Sequence, residues 1–191
     1  MKKVAYILTL SSLIFASCEN KKAMQETTPS TVAPDSLTKE ITVKIKGNPF
    51  STSVLNEKFT DLEGNTLPFQ DILSQHQGKV TIIDIWASWC PDCIKGFPKL
   101  RELQEQFPGA NYLFLSLDKT TDKWKNAIEV HKLKGSHYHL DQNMKDSFGK
   151  AIGLDWIPRY MVLNEKGEII WNKAIVADDP ELIQIIKKAT S

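Results

Sequence analysis

The chain has 191 residues, 41% of them apolar, which suits one folded domain with extensions and a core of ordinary size. A formal charge of +1 gives no electrostatic reason to expect nucleic acid as a partner. Two of the positive charges, Lys2 and Lys3, sit in a leading segment that carries no acid, so the rest of the chain stands near 1 − 2 = −1.

In chain order, Lys2 and Lys3 are followed by a mostly apolar run from Val4 to Ala16, and the small residues Ala16 and Ser17 precede Cys18. This pattern predicts an export signal over residues 1–17, too short and too closely flanked to be a stable transmembrane helix. "FASC" resembles the lipobox of bacterial lipoproteins, with Phe15 where leucine is usual. That resemblance implies that Cys18 becomes the lipidated first residue. The alternative is a plainly exported protein with a free Cys18. Residues 18–40 are polar, rich in Thr, Ser and Pro, and without apolar periodicity, which predicts a flexible tether between a bilayer and a domain.

The folded domain is expected over residues 41–191. "ITVKIKG" alternates, and "VLNEKFTDLEGNTLPF" turns at Glu63-Gly64-Asn65, which reads as β-hairpin material. Val80 to Trp86 is nearly all apolar and β-branched, the pattern of a strand covered on both faces, and Asn111 to Leu117 is a second. A helix from Cys93 to Phe107 between them makes a β-α-β unit with a parallel pair. Thr121 to Leu133 is amphipathic, with Trp124, Ala127, Ile128 and His131 on one face. Another helix is expected from Asn143 to Ile152, ending at Gly153. "RYMVLNEKGEIIWN" reads as a hairpin turning at Asn164 to Gly167. Asp179, Pro180 and Glu181 then open a last helix, with Leu182, Ile185, Ile186 and Ala189 inward. The fold class is α/β: a mixed sheet flanked by helices, with a hairpin extension at the N-terminal side.

Within "IDIWASWCPDCIKGFP" the cysteines at 90 and 93 carry the chemistry. With Cys90 at the start of the helix, Cys93 falls one turn later on the same face, within disulfide reach. The helix N-terminus favours a thiolate at Cys90, the reactive form, while Cys93 is better shielded and suits the resolving role. A structural staple explains the pair poorly, because so small a loop constrains the unfolded chain little. A zinc site calls for about four ligands, and no second Cys pair exists; His137 and His139 could share one strand face, but "SHYHL" gives no ligand spacing beyond that. The pair therefore reads as redox-active.

"IDIWASWCPDC" resembles the active-site segment of thioredoxins. The lipoprotein-like start, the hairpin before the first central strand and "SLDKTTDKWKNAI" resemble the membrane-tethered TlpA/ResA-type thiol-disulfide oxidoreductases. The resemblance covers roughly Ile41 to the C-terminus and implies a thioredoxin-like fold with Cys90 as the attacking cysteine. It implies that Pro98 kinks the active-site helix and that Ile157-Pro158 is the cis-proline loop facing the disulfide. It also implies that Asp84 is the buried acid that exchanges a proton with the resolving thiol. Trp89, Pro91, Asp92, Trp156, Ile157 and Arg159 then make up the expected substrate groove. Three positions depart from the pattern: Pro91-Asp92 replaces Gly-Pro between the cysteines, and Arg159 stands where threonine is common. Asp92 puts a negative charge close to Cys90, which Lys95 and Arg159 are positioned to offset.

The expected activity is reduction of disulfides in extracytoplasmic client proteins, periplasm-facing in a Gram-negative cell. The oxidised protein is recharged by a membrane thiol donor, and no cofactor is implied. The alternatives are a dithiol oxidase or isomerase, and a copper or zinc carrier using Cys90, Cys93 and a histidine. A peroxidase is disfavoured, since the solitary reactive cysteine of peroxiredoxins is missing.

Overall fold

The computed structural model describes residues 50–191; the expected signal (1–17), Cys18, the tether (18–40) and the alternating run at 41–47 lie outside the described residues. Ser51 Oγ accepts from the Val54 amide and starts a single turn of helix, α1 (Thr52–Leu55). Val54 and Leu55, expected in a strand, are therefore helical.

The hairpin itself is present, formed by β1 (Lys58–Thr60) and β2 (Thr66–Pro68). Asp61 closes its turn, accepting from the Asn65 amide at 2.7 Å and from its side chain at 2.9 Å, with Gly64 at φ +92°. That φ favours glycine. Next comes α2 (Phe69–Gln75), which the sequence does not announce: Pro68 precedes it without a side-chain cap. Packing holds it instead. The Phe69 ring lies among those of Phe50, Phe59 and Phe148, with centroids 5.2 to 5.5 Å away.

β3 (Thr81–Trp86), every residue of it buried, runs parallel to β4 (Asn111–Ser116), and α3 (Pro91–Gln106) crosses between them. α4 (Thr121–His131), capped by Thr120, leads to β5 (Ser136–His139), parallel to β4. Successive crossovers in one direction place both helices on one face of the sheet. There, Phe97 of α3 meets His131 of α4 at 5.1 Å between centroids. α5 (Ser147–Ala151) is shorter than expected, because the Asp146 carboxylate accepts from the Asn143 amide and makes 143–146 a turn. β6 (Arg159–Leu163) and β7 (Ile169–Ala174) form the expected hairpin, and α6 (Pro180–Ala189) starts at Asp179, whose carboxylate accepts from Glu181 and Leu182 amides.

The sheet order is β2-β1-β5-β4-β3-β6-β7, with β3 between parallel β4 and antiparallel β6. Trp86 packs edge-on against Phe97, centroids 5.5 Å apart, so the even-numbered residues of β3 face α3. Asp84 is one of them.

Candidate active site

The end of β3 leads into a tight turn, with the Cys90 amide donating to the Ala87 carbonyl at 3.1 Å. Cys90 then takes the N-cap position of α3 in extended conformation (φ −91°, ψ 108°), and its Sγ accepts from the Cys93 amide at 3.2 Å. Pro91 occupies the first helical position, where a missing N–H costs nothing. Cys90 and Cys93 are joined as a disulfide with Cα atoms 5.3 Å apart, and both are buried. Pro98 lies inside α3.

Across from the pair, the Ile157–Pro158 peptide is cis, and the Ile157 carbonyl oxygen lies 3.5 Å from Cys90 Sγ. Trp89 and Trp156, each next in sequence to a residue at the disulfide, are 50% and 54% exposed. A groove of about 280 Å³ is lined by Asp92, Lys95, Gly96, Trp156, Pro158 and Tyr160, together with Ile175 and Val176; Trp89 does not line it. A larger surface pocket of about 550 Å³ lies at the far end of α3, around Arg101, Gln104 and Lys134, away from the sulfurs.

Asp84 is 2% exposed, and neither carboxylate oxygen has a hydrogen-bond partner. Burial pushes its pKa up to about 8, with the Tyr160 hydroxyl pulling weakly the other way. Tyr160 is the register partner of Asp84 across β3 and β6, so the two side chains share a face. Its own hydroxyl is held neutral far into the alkaline range, first by burial and then by Asp84.

Arg159 does not join the groove. It is 3% exposed, because strand alternation turns it to the face opposite Tyr160. Its guanidinium is paired with Asp155 and donates to the Asn172 carbonyl. The expected counter-charge to Asp92 is thus reduced to Lys95, which does line the groove. His137 and His139 are committed elsewhere: His137 stacks on Phe114 and reaches the Leu133 carbonyl, while His139 stacks on Trp124 and lies 2.6 Å from the Asp118 carbonyl.

One anchor escaped the sequence reading. Asp118, buried just past β4, accepts from the Ser88 amide and from the hydroxyls of Ser88 (2.6 Å) and Ser116 (2.8 Å). Trp89 Nε1 donates to the neighbouring Leu117 carbonyl at 3.4 Å. These bonds hold the turn that presents Cys90. The signal was an acid directly after an apolar strand, next to the strand that ends in the cysteine motif.

A sulfur at a helix N-cap, bonded to a second sulfur one turn in, with a buried carboxyl on the sheet face that α3 covers, is an arrangement suited to dithiol–disulfide exchange. A family model described as thioredoxin-like matches residues 78–169. The chain is 26% identical over 106 residues to the sporulation thiol-disulfide oxidoreductase A of Bacillus subtilis, covering 54% of this chain and 64% of that protein. It is 31% identical over 113 residues to the thiol-disulfide oxidoreductase ResA of Bacillus cereus, covering 58% and 61%. The chain therefore spans less than two thirds of the length of these curated relatives. A solution structure from Bacteroides vulgatus, assigned as a thiol-disulfide oxidoreductase, matches with 30% identity and a TM-score of 0.59 over 75% of this chain and 90% of its own.

Proposed function

The chain belongs to the thioredoxin-like family, and on that premise we propose that it is a thiol-disulfide oxidoreductase that reduces disulfides of client proteins outside the cytoplasm. The Cys90 thiolate attacks a client disulfide, a mixed disulfide forms, and Cys93 displaces the reduced client. Asp84 takes the Cys93 proton in that second step, its pKa of about 8 being near that of a thiol. The observation that carries this reading is the placing of Cys90 Sγ. It caps α3, with the Cys93 amide at 3.2 Å and the Ile157 carbonyl at 3.5 Å.

An extended client segment beside the disulfide would run over Ile157 and Pro158, between Trp89 and Trp156, with Pro91 and Asp92 below it. We further infer from the sequence an export signal, a lipidated Cys18 and a tether of residues 18–40, which would hold the domain on the outer side of a membrane, where a membrane thiol donor would regenerate the dithiol. The test is a pair of variants. Cys93→Ser should accumulate mixed disulfides with clients in the cell envelope, and Cys90→Ser should form none and lose all reductase activity. Mixed disulfides held by Cys93 in Cys90→Ser would reverse the roles.

A further inference from the structure

A base that works once per turnover must give its proton back, and Asp84 is buried. It is enclosed by the sheet and α3, with no hydrogen-bond partner on either oxygen. Tyr160, its register partner on β6, shares its face of the sheet, which sets the phenol beside the carboxyl. The Tyr160 side chain, though buried, also borders the groove. The Tyr160 hydroxyl lies beneath Gly96 of α3, where an added Cβ would stand 4.0 Å away, and both residues line the groove with Asp92 and Pro158. The absent side chain at position 96 leaves an opening above the phenol.

We propose that Tyr160 is the proton relay between buried Asp84 and the client groove. The inference rests on the reading of Asp84 as acceptor of the Cys93 proton. During resolution Cys93 Sγ–H gives its proton to the Asp84 carboxylate. The Cys93 sulfur bonds Cys90 Sγ as the Cys90–client S–S bond breaks, and that electron pair leaves on the client sulfur. Asp84 then passes the proton to Tyr160 Oη, which releases its own into the groove, where the client thiolate takes it. Charge and electrons balance with no further reactant. A hydroxyl suits this task because it accepts and donates at once, and a phenol held neutral in its site does not trap the proton. Asp178, Asp92, Lys95 and Lys99 also line the groove and set the charge around its mouth.

The test separates the two chemical steps by stopped flow, following a small aromatic disulfide for mixed-disulfide formation and release. Tyr160→Phe deletes only the hydroxyl and keeps the ring. Formation should stay at the wild-type rate and release should slow at least about tenfold. Asp84→Asn should slow the same step, and the double variant should be no slower than the slower single one. In infrared difference spectra on reduction, the Asp84 carboxyl stretch should shift in Tyr160→Phe. Wild-type release in Tyr160→Phe alongside slow release in Asp84→Asn would overturn the relay and leave Asp84 as the base. Wild-type release in Asp84→Asn would overturn both. Losses that simply add in the double variant would make Tyr160 a packing residue and also reject the relay.

Discussion

Replacing Asp84 by asparagine should make the oxidised protein more stable, and increasingly so as pH rises. The carboxyl has its folded pKa raised from 3.8 to about 8 by burial. A folded pKa above the unfolded one means stability fully present below 3.8 and lost as pH climbs to about 8, because the unfolded chain ionises first. Each pH unit in that window costs about 1.4 kcal/mol, so the penalty at neutral pH is about 4 kcal/mol. That is a large share of the roughly 5–15 kcal/mol by which a domain is held. Asparagine keeps the shape and cannot ionise, but it buries an amide without a firm partner, so about half of that gain should survive. The oxidised form is the one to measure, since its cysteines do not titrate. Denaturant unfolding at intervals above pH 6.5 avoids the titration of His137 and should show wild type losing about 2 kcal/mol relative to Asp84→Asn by pH 8. A difference between the two proteins that stays constant with pH would refute the reasoning and leave Asp84 an ordinary buried side chain.

Four further outcomes are expected. Asp92→Asn removes a like charge within a turn of Cys90, so it should lower the Cys90 pKa and make the couple more oxidising in a glutathione equilibration; a wild-type couple as oxidising as ~−120 mV would end the reductant reading. Burial lowers the His137 pKa from 6.5 to about 4, so stability should fall as pH drops through that interval, and His137→Phe should flatten this acid limb in denaturant titrations. A Cβ at Gly149 would collide with the Met144 backbone, so Gly149→Ala should destabilise by roughly 1–3 kcal/mol, read as a lower midpoint of unfolding. Mass spectrometry of the membrane fraction should find a mature N-terminus at diacylated Cys18, because one acyl chain alone anchors only marginally; an unmodified cysteine there would make the protein a freely exported one.

Much of the site was legible in the sequence because its key spacing is local. Two cysteines three apart, opening a helix after a buried strand, must share one helical face, whatever surrounds them. Strand β3, the hairpin turns at Asn65 and Asn164, and the Asp179 cap were legible for the same reason: each rests on an unbroken apolar run or on a side chain bonding its own neighbourhood. What surrounds the disulfide depends instead on strand order and register, which bring together residues far apart in the chain. Ile157 meets Cys90 across a separation of 67 residues. Tyr160 meets Asp84 only because β6 pairs antiparallel to β3 in one register, and the same register turns Arg159 away from the groove that its sequence position promised. α2 likewise exists through the aromatic cluster around Phe69, which no local signal encodes. The sequence by itself determined the reactive pair and its helix; the tertiary structure decided which groups surround that pair, because one residue of register reverses every side chain on a strand.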